Sequence, residues 1–223
     1  MIHGALRDCR VLLDWRTLLA PDTDVIFAEL PGHGRSPAMV PTSVEIFAAN
    51  VLQALQSTLS GRDVVLVGES LGGLVALAIA GMSPDPVRAV LAADPPLTTA
   101  KLWHVATAIG GAVARDPDNA FLRSFAEEIF GLGASTRTDR IYYSLLKDAQ
   151  IPIHIVTGDL PLLPPRNVSG VPCLVDDVDR FVLANLYATQ VQLHVVDNCG
   201  HLLLTDQRAA CLDLIQRIQR GAA

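Results

Sequence analysis

The sequence predicts an α/β fold built on a doubly wound, mostly parallel sheet, and three observations carry that prediction. Short runs rich in β-branched and aliphatic residues alternate with segments of helical length. These runs are apolar throughout, as strands are when helices cover both faces of their sheet. One of them, Asp63-Val64-Val65-Leu66-Val67, passes through a glycine-rich turn directly into the buried helical pattern Leu74–Ala80.

The bulk numbers agree with a single globular domain. A chain of 223 residues forms one sizeable core, or one core with a small insertion. Half the residues are apolar and 18% are charged, which excludes a disordered chain. A net charge of −6 argues against nucleic acid or an anionic membrane as the main partner. No apolar stretch reaches membrane-spanning length without Gly, Pro or charge, and Met1-Ile2-His3-Gly4 does not open a secretion signal. Cys9, Cys173, Cys199 and Cys211 show no CxxC spacing and are too sparse for a disulfide framework. Their expected role is that of small hydrophobes in a reducing cytoplasm.

Taken in order, Met1-Ile2 reads as the end of a strand and His3-Gly4-Ala5-Leu6 as a turn leaving it. Asp14–Leu19 is a short amphipathic helix. Val25–Leu30 is a strand, followed by the loop Pro31–Pro37. Ser43 or Thr42 caps a helix running to about Ser60. Val87–Ala93 is the next strand, closed by Asp94-Pro95-Pro96. From Leu97 to Gln150 the pattern is helical, broken at Gly110-Gly111 and at Gly131 and Gly133, with helical spacing in Phe121, Phe125 and Ile129 and again in Ile141 and Leu145. Strand Ile151–Val156, a Pro-rich loop from Pro161 to Pro172, a helix from Asp177 to about Tyr187, strand Val191–Val196 and a helix from Leu204 to Arg220 complete the chain.

The turn Gly68-Glu69-Ser70-Leu71-Gly72, between strand and helix, has the form of a nucleophile elbow. Its glycines avoid clashes with the neighbouring strand and helix, and its strain lifts the Ser70 hydroxyl clear of the sheet. The helix that follows favours the negative charge that develops in acyl transfer. With His3-Gly4, Pro31-Gly32-His33-Gly34-Arg35-Ser36, Gly68–Gly73 and Gly200-His201-Leu202 in this order, the chain resembles the α/β-hydrolase fold family over nearly its whole length. The resemblance implies a core of residues 1–96 and 151–223, with residues 97–150 as a helical cap. That family usually has two strands before the His-Gly turn, so the sheet is expected to be shortened at its N-terminal side.

Ser70 is the expected nucleophile and needs an adjacent base. The family's order of nucleophile, acid and base puts the base at His201. His33 lies in a loop, His104 in the cap, and His154 and His194 inside strands. The resemblance implies oxyanion-binding amides on Leu71 and on Ala5 or Leu6. The family's usual place for the acid is occupied here by Pro161. Three substitutes remain: Asp94 at a strand end, then Asp159, then Asp176 or Asp177 at a helix start.

No HExxH pattern, Cys/His pairing, third dinucleotide-binding glycine or phosphate-loop lysine occurs, so no metal or cofactor is expected. The function expected first is hydrolysis of an ester, thioester or related acyl bond in a small, partly apolar substrate. The alternatives are another reaction on the same fold (C–C hydrolase, lyase, cofactor-free oxygenase or haloperoxidase-like) and a non-catalytic ligand-binding member.

Overall fold

A computed structural model describes residues 1–82, 84–160 and 172–221. After a 3-10 turn at Cys9–Leu12, the chain forms α1 (Trp15–Leu18), α2 (Val44–Leu59), β1 (Val64–Glu69), α3 (Leu71–Ala80) and β2 (Val87–Ala93). Two helices follow, α4 (Trp103–Arg115) and α5 (Ala120–Phe130), then a 3-10 turn at Tyr143–Leu146. The chain ends with β3 (Ile153–Gly158), α6 (Asp177–Leu186), β4 (Val191–Val196), α7 (Leu203–Asp206) and α8 (Arg208–Gln219).

Among the described residues the four strands form one sheet in the order β1-β2-β3-β4, all parallel. Alternate side chains go to opposite faces, as the pleat requires. Leu66, Val90, Ala92, Ile153 and Ile155 enter the core shared with α2 and α3. Val67, Ala89, Leu91, Ala93 and Val156 enter the core under α1, α7 and α8. This two-sided burial is the doubly wound arrangement that the apolar runs predict. The α2 helix is capped as its sequence indicates, with the Ser43 hydroxyl accepting the Ile46 amide at 3.1 Å.

Four expectations about local structure are corrected. Val25–Leu30 forms no strand; it has one bridge, at Ala28, which faces Ile2, and the Met1 amine donates to the Ile26 carbonyl at 2.6 Å; Ile2 in turn faces Gly68. Met1-Ile2 is thus the narrow link between this stretch and β1. Beside it lies a cavity of about 290 Å³, lined by Ile26, Val51, Leu55 and Val64 among others. Gly110-Gly111 does not break a helix, because α4 runs through both residues; an exposed helical glycine costs about 1 kcal/mol, which packing elsewhere overrides. Ile141 is not helical but pairs with Thr98 in an antiparallel bridge, leaving only the 3-10 turn after it. The closing helix is divided at Gln207 into α7 and α8. The Pro-rich loop, including Pro161, falls outside the described residues apart from Pro172.

Residues 97–150 do not form a separate core. Phe121, Phe125 and Phe130 of α5 are buried in the same cluster as Phe47 of α2, and the Phe125 ring stacks on that of Phe47. By contrast, α4 buries only Ile109, and its Trp103 is exposed. Gly131 ends α5 in the left-handed conformation at φ 70°, the usual glycine stop.

Candidate active site

Ser70 lies where β1 passes into α3, with φ 57° and ψ −117°. A non-glycine residue holds this backbone only where its surroundings impose it. The elbow glycines are sterically obligatory. A methyl group on Gly68 would sit 2.1 Å from the Gly72 carbonyl oxygen, and one on Gly72 would sit 2.5 Å from the Ile2 carbonyl oxygen. The Ser70 amide donates to the Ala93 carbonyl at 2.8 Å, tying the elbow to β2. The first amides of α3, Leu71 included, have no acceptor within the helix and carry its positive end.

The turn after Ile2 presses against this elbow. A methyl group on Gly4 would be 3.2 Å from Ser70 Cβ and 3.8 Å from Ser70 Oγ. His3 is buried and holds the turn: its Nε2 accepts the Leu30 amide at 3.1 Å, so Nδ1–H donates to the Gly4 carbonyl oxygen at 2.8 Å. The His33 ring lies 5.3 Å from that of His3 and packs edge-on against Phe125. Burial lowers the pKa of both imidazoles below the ordinary histidine value. Ala5 and Leu6 follow, with Leu6 at φ 55°. The amides of Leu71, Ala5 and Leu6 therefore lie on two segments that adjoin Ser70.

His201 follows β4, and it and Ser70 are each 9% exposed. His201 Nδ1 is 2.7 Å from Asp94 Oδ2. Asp94 ends β2 in a left-handed conformation, φ 46°, with no side-chain exposure. Its carboxylate is fully engaged: Oδ1 accepts Thr157 Oγ1–H at 2.8 Å and the Val175 amide at 3.0 Å, and Oδ2 also accepts the Leu174 amide at 2.7 Å. Four donors thus converge on one buried carboxylate. As an acceptor, Oδ2 selects the His201 tautomer with the proton on Nδ1, leaving Nε2 as a base.

The other three acids make different contacts, and Asp177 is exposed at the start of α6, 3.5 Å from Arg180. Asp159 accepts the Cys199 amide at 3.3 Å, bracing the loop that leads to His201. Asp176 caps α6 in a reciprocal capping box with Asp179, and it pairs with Lys101 at 2.6 Å. Lys101 also meets Asp179 at 2.5 Å, and the Tyr143 hydroxyl donates to the same carboxylate. This cluster fastens residues 97–150 to the segment whose Leu174 and Val175 amides hold Asp94.

Sequence reasoning missed the residues around Asp94 and one beside Ser70. Thr157, Leu174 and Val175 carry no motif, and their role depends on a chain crossing. Glu69 was visible as a charge inside the elbow of a buried strand; it is wholly buried and paired with Arg7 at 2.6 Å. The cysteines offer no rival nucleophile: burial pushes Cys173 and Cys211 up to about 12 and Cys199 up to about 11. Among the described residues, no three His, Cys, Asp or Glu side chains converge as a metal site, and no helix is long and apolar enough to cross a membrane.

Comparison with known proteins matches residues 1–214 to the model of the alpha/beta hydrolase family. The chain is 35% identical over 127 residues to lipase LipV of Mycobacterium tuberculosis, a match covering 55% of this chain and 42% of the lipase. It thus spans less than half the length of that relative. It is 27% identical over 235 residues to the pimeloyl-acyl-carrier-protein methyl ester esterase of Aromatoleum aromaticum, covering 86% of each. Among solved structures, NosK from Streptomyces actuosus superposes with a TM-score of 0.70 at 18% identity, over 99% of this chain and 96% of the other.

Proposed function

We infer that this chain, which belongs to the alpha/beta hydrolase family, is a serine hydrolase of esters, thioesters or related acyl bonds. The observation that carries the reading is the 2.7 Å contact of His201 Nδ1 with the buried Asp94, whose chain neighbour Ala93 accepts the amide of the strained Ser70. In this reading Ser70 is the nucleophile, His201 the general base and then acid, and Asp94 the group that orients and stabilises the imidazolium. The Leu71 amide and that of Ala5 or Leu6 receive the oxyanion. Ser70 Oγ attacks the acyl carbon while His201 Nε2 takes its proton, and the same proton goes to the leaving oxygen or sulfur. Water then repeats the sequence on the acyl-enzyme and frees the acid.

Residues 97–150 act as the cap in this proposal, and their apolar residues select a small substrate with an apolar acyl portion. The names of the lipase and esterase relatives support an oxygen ester as the first substrate to try. The sparse cysteine pattern supports a reducing, cytoplasmic setting.

Short p-nitrophenyl esters test the reading. The wild-type protein is expected to hydrolyse them and to be labelled at Ser70 by a fluorophosphonate. Ser70→Ala is expected to lose both properties while retaining its circular dichroism and thermal unfolding. Unchanged turnover in Ser70→Ala rejects the assignment.

A further inference from the structure

Glu69 is the residue of the elbow that the reaction scheme leaves without a part. Its side chain is fully buried, one oxygen pairs with Arg7 Nη1 at 2.6 Å, and the other, Oε1, has no hydrogen-bond partner. A buried carboxylate with one unpartnered oxygen is costly, and an apolar residue of similar size would fill the same space without that cost. Its neighbours are all parts of the site. Arg7 directly follows the turn residues Ala5 and Leu6, and Leu6 is held at φ 55°. Glu69 itself precedes Ser70. Its charge is felt at His201, and the Leu204 amide, three residues beyond His201, faces the same carboxylate. The remaining titratable groups near it are Asp94 and the thiols of Cys199 and Cys211.

We propose that Glu69 and Arg7 are positioning residues of the hydrolase site. Their ion pair fixes the turn carrying Ala5 and Leu6 against the elbow and keeps a negative charge beside His201. The proposal rests on the serine-hydrolase reading given above. Two opposed effects meet at this carboxylate. Burial raises the Glu69 pKa above the ordinary carboxylate value, while first Arg7 and then His201 act to lower it. Arg7 therefore opposes the effect of burial and favours the charged carboxylate, whose negative charge favours the imidazolium that His201 becomes as it takes the Ser70 proton. Arg7 also directly follows Leu6, the turn residue held at φ 55°.

The test is the proton NMR titration of the His201 imidazole, assigned by its loss in His201→Gln, together with kcat and KM on p-nitrophenyl acetate. In Glu69→Gln the His201 midpoint is expected to fall by about one pH unit, and the acid limb of kcat/KM to move with it. The expected loss lies in kcat, about tenfold, with KM nearly unchanged. Arg7→Lys keeps the pair's charge and is expected to leave the midpoint at its wild-type position. Arg7→Met removes the cation that favours the charged carboxylate; the variant is expected to lose stability yet remain folded in its thermal unfolding, and its His201 midpoint is expected to fall as in Glu69→Gln. A purely structural pair would leave the midpoint unmoved in both Glu69→Gln and Arg7→Met, and that result overturns the proposal. The NMR midpoint does not depend on turnover, whereas absence of fluorophosphonate labelling at Ser70 in the wild type would count against the hydrolase reading alone.

Discussion

His201 and Asp94, 107 residues apart in sequence, meet at 2.7 Å between Nδ1 and Oδ2. The aspartate is not free to turn away, since Thr157, Leu174 and Val175 occupy its remaining lone pairs. A carboxylate surrounded by donors on every side is specific in a way that neither shape nor charge alone provides.

Asp94→Asn follows directly from that contact. The new amide group must point its own donors at one pair of existing donors, so it both loses the charge and creates a clash of hydrogens. The expected fall in kcat/KM for a short ester is on the order of 10³-fold or more, with a loss of about 1–3 kcal/mol in stability from the broken hydrogen bonds. Asp159→Asn and Asp176→Asn are expected to stay within an order of magnitude of the wild-type rate. If Asp159→Asn were the crippled variant instead, the acid would have been misassigned.

The Lys101 cluster predicts a coupled effect. Lys101→Met leaves Asp176 without its cation and Asp179, which is wholly buried, without one of its partners. Urea denaturation should show a loss of about 3 kcal/mol, the usual cost of stranding a buried charge. Adding Asp179→Asn to Lys101→Met is expected to restore part of it. Strictly additive losses in this double-mutant cycle would show that the two side chains do not interact.

A third expectation concerns acid. His154 on β3 and His194 on β4 approach at 3.2 Å between Nδ1 and Nε2, and burial is the main cause that lowers the His154 pKa to about 4. Because the folded value lies below the unfolded one, near 6.5, the neutral pair contributes its full stability above pH 6.5. That contribution is lost as the pH falls toward 4. Between pH 7 and pH 4 the wild-type protein should therefore lose on the order of 2 kcal/mol more than His154→Leu. Chemical denaturation at several pH values measures the difference, and parallel curves for the two proteins would contradict it.

Much of the fold is legible because its signals are local. The strand Val87–Ala93 begins and ends where its apolar run does, and α2 starts at the serine that caps it. The Gly68 requirement is also local, since the clashing atoms belong to Gly72 and Gly73 of the same elbow, whereas Gly72 is restricted by the carbonyls of the distant Ile2 and His3. What the sequence leaves out is long-range. Val25–Leu30 has strand composition, yet a strand also needs a neighbour, and only Met1-Ile2 supplies one. The partners of Asp94 sit 63, 80 and 81 residues away: a strand hydroxyl on Thr157, and the amides of Leu174 and Val175, which act whatever side chain they carry. The Arg7–Glu69 pair spans 62 residues and joins two residues that no motif links.

The phenylalanines of α5 also determine how the molecule can open. Lifting α5 would bring Phe121, Phe125 and Phe130 into water. At about 25 cal/mol per Å² and roughly 150–250 Å² per ring, that costs on the order of 10 kcal/mol. A cost of that size matches the whole stability of an ordinary domain, so α5 leaves its place only when the protein unfolds. Within α4 only Ile109 is buried, so the same displacement of α4 would bring far less apolar surface into water, and of the two helices α5 is the one whose position is bound to the integrity of the core.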